Sequence, residues 1–114
     1  MNDYLNSLEP YKDNKEISDL IDEVKKLREY YYTQQYDKMQ EHINKLMLKY
    51  LAETITWNAI HPIKPITQQE SYINAEVFLW AKGIHILLEK GLKRRDQLTS
   101  EELALIESSI SPTE

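Results

Sequence analysis

The chain has 114 residues and no cysteine, which leaves room for one domain and excludes a disulfide-stapled scaffold. A composition of 41% hydrophobic and 29% charged residues is typical of a globular protein, not a disordered one. Two glycines are too few for the tight turns of a β-sandwich or barrel, so we expect an all-α fold. The net charge of -5 argues against general nucleic-acid binding, because phosphate contacts need a basic surface.

No targeting signal is visible before Pro10, where a basic segment and an apolar one are both lacking. The most apolar stretch, residues 72–92, has the length of a membrane span, but charged side chains are distributed along it. It is therefore predicted to be a core helix. The protein is expected to be cytoplasmic, without a membrane partner, and the lack of cysteine fits a reducing compartment.

Residues 1–13 are expected to form an N-terminal arm, and two amphipathic runs follow in residues 14–57. Asp13 and Glu16 have capping-box spacing at the start of the first run. Its apolar residues recur in steps of three and four: Ile17, Leu20, Val24, Leu27 and Tyr31. The second run has the same rhythm: Tyr36, Met39, Ile43, Leu46 and Tyr50. A step of five between the runs shifts the apolar stripe.

Two structures account for this shift, a helical hairpin turning near residues 33–35 or one helix over residues 14–57. The single helix would be about 65 Å long, beyond the diameter of so small a domain, so the hairpin is favoured. Thr33 is then the expected N-cap of the second helix. Residues 30–39 resemble the inter-helix turn of a tetratricopeptide repeat, with Gln34 and Met39 in place of the usual glycine and alanine. The resemblance implies hairpin geometry.

Residues 58–67 form a predicted linker, since Pro62 and Pro65 disfavour helix in the residues before them. Ile60, Ile63 and Ile66 recur at the three-residue period of polyproline II, which would place them on one face.

A third helix is predicted over residues 68–91, from a Thr67 and Glu70 capping box to a terminating Gly91. Its expected core stripe is Ile73, Val77, Trp80, Ile84 and Leu87. Further apolar residues widen this stripe until little polar face remains, so the helix should be central or lie in an oligomer interface. Gly83 should admit a close neighbouring helix. A short last helix is predicted over residues 99–110.

The fold is thus predicted to be a small bundle of about four helices: an antiparallel hairpin, a central apolar third helix and a short C-terminal helix.

The sequence contains no catalytic signature, because nucleophile motifs and phosphate-binding glycine spacings are missing. His85 and Glu89 share a helix face but fall short of a metal site, and His42 is expected on the solvated surface. No catalytic residue, metal or cofactor is predicted.

Three consecutive tyrosines, from Tyr30 to Tyr32, span about 200° of a helix, so at least one should be exposed or meet a partner. The candidate partner-binding residues are Tyr30, Tyr32, Trp57, Phe78, Lys93, Arg94 and Arg95. The plainer interpretations are that the tyrosines pack under the linker and that the basic residues complement a helix C-terminus.

We therefore expect a non-enzymatic protein-binding module that self-associates, at least as a homodimer. An adaptor, an assembly subunit and a small acidic inhibitor, including the phage-encoded kind, all fit this expectation. The alternative is a small-molecule or metal-binding domain with a pocket under the linker of residues 58–67, for which the candidates are His61, Trp80 and His85.

Overall fold

Six α-helices follow one another in the computed structural model, which describes residues 5–60 and 67–107. They are α1 Leu5–Leu8, α2 Lys15–Tyr32, α3 Tyr36–Lys49, α4 Leu51–Ile60, α5 Gln68–Glu89 and α6 Ser100–Glu107. Single 3-10 turns, Glu9–Tyr11 and Arg95–Gln97, follow α1 and precede α6. These two ranges contain no strand, so the predicted all-α class is confirmed. The helices outnumber the four expected, because α1 is separate and Tyr50 divides the second predicted helix.

The N-terminus of α2 is capped by Asn14, not by Asp13. Asn14 has extended backbone, and its side-chain oxygen accepts from the Ile17 amide at 3.2 Å. Asn and Asp are comparable caps, so the sequence pattern placed the helix start one residue early.

Residues 33–35 form the turn between α2 and α3. Thr33 closes the end of α2 by donating its hydroxyl to the Glu29 carbonyl at 2.6 Å, so its predicted role as the N-cap of the next helix is wrong. Gln34 has a φ of 60°, in the left-handed region that glycine occupies most readily. Residues 14–57 therefore turn back at this point and do not form one long helix.

α3 runs back along α2 in the opposite direction. Near the turn, the Tyr30 and His42 rings have centroids 6.1 Å apart, and at the far end Lys49 Nζ lies 2.6 Å from Glu23 Oε2. His42 Nε2 also lies 3.2 Å from the Glu23 carbonyl, and its ring is half-buried. The expectation that His42 is a solvated surface residue is therefore wrong.

Tyr50 separates α3 from α4, because its backbone leaves helical geometry at φ -112° and ψ 51°. The backbone hydrogen bonds resume at once, with the Thr54 amide donating to the Tyr50 carbonyl at 2.8 Å. α4 continues to Ile60 and so occupies the first part of the predicted linker. The predicted polyproline face through Ile63 and Ile66 lies largely outside the described residues.

The ends of α5 follow from its local sequence. Thr67 and Glu70 form the predicted capping box, each side chain accepting from the other residue's amide at 3.1 and 3.2 Å. At the other end Gly91 has a φ of 71°, and the Leu92 amide donates to the Leu87 carbonyl at 2.9 Å. This is a Schellman motif, which needs a left-handed residue at the position of Gly91.

α5 is the centre of the structure and packs against α1, α2, α3 and α6. Its buried residues include Tyr72, Ala75, Glu76, Phe78, Leu79, Trp80, Ala81, Gly83, Ile84, Ile86 and Leu87. The predicted stripe was displaced at its start, because Ile73 is 37% exposed and Val77 is half-buried. Since its own chain covers most of its apolar surface, α5 no longer supports an oligomer interface.

Gly83 admits a close neighbour, as predicted, and that neighbour is α1. A Cβ at this position would lie 3.0 Å from Leu8 Cδ2 and 3.1 Å from Leu8 Cδ1. Leu8 is fully buried against α5 as a result. Helix α1 is thereby packed on the central helix.

Candidate protein-binding surface

Three large aliphatic side chains are exposed where α3 meets α4. Leu48 is 72% exposed, Leu51 52% and Ile55 62%. Ala52 and Ala59 are exposed as well, and within α4 the four positions 51, 52, 55 and 59 fall in an arc of about 100°. Leu48 lies one turn earlier, at the end of α3. These five residues are here called the aliphatic strip.

Trp57 decides which face of α4 points outward. Its side chain is 2% exposed and meets the Phe78 ring edge-to-face at 5.7 Å, while its indole N–H donates to Asn74 Oδ1 at 3.2 Å. Thr54, one turn before it, is also buried. Because these residues anchor one face of α4 on α5, the opposite face with Ile55 is directed to solvent.

The same contacts bury two of the residues that were predicted to bind a partner. Trp57 is 2% exposed and Phe78 is 1% exposed, so both belong to the core of this chain. Aromatic side chains of this size supply large core contacts as readily as interface contacts, and sequence alone did not separate the two uses.

The charged residues within this segment point away from the aliphatic strip and are paired inside the chain. Lys49 binds Glu23 at 2.6 Å, and Glu53 binds Lys82 at 2.5 Å. Burial opposes ionisation of Glu53, but the hydrogen bond and the charge of Lys82 outweigh it and hold the pKa of Glu53 below its ordinary value. The strip is consequently uncharged.

Tyr50 joins these two ion pairs. Its hydroxyl donates to Glu23 Oε1 at 2.9 Å, and the ammonium groups of Lys49 and Lys82 lie 5.2 and 5.3 Å from its ring centroid. Burial, followed by the charge of Glu23, raises the pKa of Tyr50 above its ordinary value. This network fixes the α3–α4 junction, and with it the direction of the strip.

The consecutive tyrosines have three different environments. Tyr30 is half-buried against His42, Tyr31 stacks on Tyr72 at 4.1 Å, and Tyr32 is 68% exposed. The helical angle therefore predicted the exposure of one tyrosine correctly. Tyr32 contacts Tyr31 and Tyr72 edge-on at 5.1 and 5.8 Å, so it lies flanked by rings and not isolated in solvent.

The predicted basic partner site is largely neutralised by neighbouring acids. Lys93 lies 3.7 Å from the buried carboxylate of Glu102, and Arg94 lies 3.1 Å from Asp96. Arg95 is exposed in the 3-10 turn. Lys93 and Arg94 are thus paired with carboxylates of their own chain close to α6.

The described residues cover the alternative ligand site only in part. His61 lies outside them, Trp80 is 9% exposed in the core, and His85 is half-buried. His85 Nε2 is buried with no hydrogen-bond partner among the described residues, and burial lowers the pKa of His85. In the same residues, no three His, Asp or Glu side chains converge as metal ligands would.

A shallow depression of about 370 Å³, open to solvent, lies at the α2–α3 turn. Its lining residues are Gln34, Gln35, Tyr36, Asp37 and Lys38. Enclosing apolar walls, which small-molecule sites usually have, are lacking in this depression.

Sequence reasoning missed the aliphatic strip. The signal was the presence of Leu48, Leu51 and Ile55 outside the stripe that ends in Leu46 and Tyr50. Three large aliphatic residues off the core stripe, in steps of three and four, indicate a second apolar face on the same segment.

Comparisons with protein-family models, with curated proteins and with solved structures found no match to this chain. Across residues 5–60 and 67–107, none of the helices has both the length and the apolarity needed to cross a bilayer.

Proposed function

We propose that this chain is a small non-enzymatic module that binds other protein through the aliphatic strip. The observation that carries the proposal is the exposure of Leu48, Leu51 and Ile55, each more than half exposed where α3 meets α4. Burying such a side chain completely stabilises a complex by roughly 1.5–3 kcal/mol. A partner that covers the strip therefore gains a useful part of its affinity there.

The interior supports a binding role over a catalytic one. The buried carboxylates Glu76 and Glu102 are each committed to a cation of the same chain, Arg28 and Lys93. Such pairs hold helices together and leave neither of these two carboxylates poised toward a cleft. The cysteine-free composition supports placing the module in the cytoplasm.

Among the kinds of protein binder that the sequence allows, the strip favours an adaptor or an assembly subunit. An acidic inhibitor needs unpaired carboxylates in its binding surface, and the only carboxylate between residues 48 and 59, that of Glu53, is bound to Lys82. Apolar contact, not charge, is what this surface offers.

Photo-crosslinking tests the proposal. A benzoylphenylalanine in place of Leu51, in cells that make the protein, should crosslink to protein, and the same probe at Gln40 on the polar side of α3 should not. In a Leu48→Lys/Ile55→Lys chain carrying the probe, the adduct should be lost. Both changes are at exposed positions, so each should alter the free energy of unfolding by no more than about 0.5 kcal/mol. Equal crosslinking from positions 40 and 51, or none from 51, would refute the proposal.

A further inference from the structure

We infer that α4 is a hinged helix that leaves α5 when His85 takes up a proton. The switch lies on the inner face of α4, opposite the aliphatic strip, and it does not depend on what the strip binds. Three features of the structure support it: two buried polar atoms without partners, a pivot at Tyr50, and the charges around His85.

The interface between α4 and α5 contains two buried polar atoms that have no hydrogen-bond partner among the described residues. They are Thr54 Oγ1, in a residue that is 6% exposed, and His85 Nε2. Thr54 lies one turn before Trp57 and His85 one turn after Lys82, and both Trp57 and Lys82 make contacts across this interface. Because water would satisfy both atoms, each of them favours an open α4 over a docked one.

The pivot lies at the start of α4. The chain leaves helical geometry at Tyr50, and the Tyr50 hydroxyl is bound to Glu23 of α2, which holds the pivot in place. Beyond it, α4 is held on α5 by the Trp57 side chain and by the ion pair of Glu53 with Lys82. If these contacts open, α4 moves as one helix about Tyr50, and the α2–α3 hairpin keeps its structure.

The charged groups around His85 decide how a proton acts there. Lys82 and Glu89 lie on α5 itself, Glu53 lies on α4, and Arg95 lies in the 3-10 turn before α6, so two cations and two anions surround the imidazole. Burial lowers the pKa of His85, and the charge of Glu89 opposes this only in part. The docked form therefore holds a neutral imidazole.

Opening of α4 is consequently coupled to pH. When α4 is open, the imidazole returns to water, where its pKa has an ordinary value of about 6.5, and in the docked form the pKa is lower. The open form thus binds a proton that the docked form excludes, so its share grows as the pH falls below about 6.5. One pH unit below that value, the opening constant should have risen by up to about tenfold.

Amide hydrogen exchange tests the switch, because it measures local opening under native conditions. Between pH 7.5 and pH 5.5, after correction for the intrinsic exchange rate, the protection of the amides of residues 55–59 should fall by up to about tenfold. His85→Gln should abolish this fall. The matched control, His42→Gln, should leave it unchanged, because His42 lies between α2 and α3 and stays in place when only α4 opens.

Thr54→Val gives a second measurement with His85 intact. It replaces the unpartnered hydroxyl with a methyl group of the same shape, so the α4 amides should be about tenfold better protected at either pH. Thr56→Val is the control, since the Thr56 hydroxyl already donates to the Ala52 carbonyl at 3.3 Å, and it should not raise protection.

The inference is overturned if His85→Gln keeps the fall in protection, or if His42→Gln removes it. It is also overturned if the Thr54→Val and Thr56→Val chains are equally protected. Should circular dichroism show that His85→Gln does not fold, the His42→Gln chain and the two valine chains decide the outcome.

Discussion

Arg28 on α2 and Glu76 on α5 form an ion pair with 2.9 Å between Nε and Oε2, although 48 positions separate them in the sequence. The Glu76 side chain is fully buried, and Tyr72 donates its hydroxyl to the same oxygen. A carboxylate out of contact with water stays ionised only with such partners. The pair therefore fixes how α2 lies against the central helix.

Replacing Arg28 with Met should lower the free energy of unfolding by about 3 kcal/mol, because it leaves a buried carboxylate without its cation. In an Arg28→Met/Glu76→Leu chain most of that loss should be recovered. Urea denaturation measures both, and Lys15→Ala, which breaks an exposed ion pair with Asp19, serves as the control with little expected change. A double variant no more stable than the single one would contradict this account.

The contact between Gly83 and Leu8 predicts a coupling that a double-mutant cycle can measure. Alanine at Gly83 gains about 1 kcal/mol in helix propensity, but its Cβ crowds the Leu8 side chain at 3.0 Å. Gly83→Ala should therefore stabilise the chain more in a Leu8→Ala background than in the natural chain. Thermal and urea unfolding of the four chains gives the coupling, and strictly additive changes would show that the contact does not matter.

Gly91→Ala should destabilise the chain by about 1 kcal/mol, since its φ of 71° is strained for any residue with a Cβ. No neighbouring atom lies within 4 Å of the added Cβ, so the backbone is the whole cause. Gly91→Asn should lose less, because asparagine tolerates this region better. If alanine and asparagine lose the same amount in urea, the backbone explanation is wrong.

Introducing a glycine into the hairpin turn should stabilise the chain. Gln34 has a φ of 60° without being glycine, so Gln34→Gly relieves the strain of the left-handed backbone. Part of the gain is offset by the greater freedom of glycine in the unfolded chain, and the net increase should be up to about 1 kcal/mol. The melting temperature measures it, with Gln34→Ala as a control that should not rise.

Stability should fall as the pH is lowered from about 8 to about 5.5. Burial lowers the pKa of His85, against the charge of Glu89, and that of His42 is lowered by burial too. The unfolded chain therefore binds more protons below an ordinary histidine pKa of about 6.5, so the stability present above that pH is lost below it. His42→Gln/His85→Gln should flatten the dependence. Glu53, whose pKa is lowered, titrates below this window.

The core faces of the first two long helices could be predicted from sequence. Ile17, Leu20, Val24 and Leu27 are all fully buried, and Met39, Ile43 and Leu46 are nearly so. Spacing of three and four residues places side chains on one face of a helix whatever it packs against. The only further requirement is that each helix bury its apolar face.

Helix ends could be predicted for a related reason. The Thr67 and Glu70 capping box and the termination at Gly91 depend on hydrogen bonds and dihedral angles within a few residues. The start of α2 was predicted one residue too early, because Asp13 and Asn14 are both good caps and the local sequence pattern does not distinguish them.

The candidate protein-binding surface could not be predicted from the sequence, because tertiary contacts decide which residues it contains. Trp57 was predicted from the sequence to bind a partner, but it is a core residue in the fold. Its ring packs against Phe78, and its indole N–H donates to Asn74, both on α5. Its burial turns Ile55 outward, at a position for which the sequence pattern gave no prediction. The residue type of an apolar side chain is the same in the core and on the surface, so the sequence alone does not distinguish the two positions.

By itself, then, the sequence determined the helical class, both ends of α5 and the inward faces of α2 and α3, since these depend on interactions within a few residues. Which apolar face stays uncovered, and which buried carboxylate meets which cation, was decided by tertiary structure. Contacts such as Gly83 with Leu8 and Arg28 with Glu76 join residues tens of positions apart. They form only when whole helices have packed, and no local spacing encodes them.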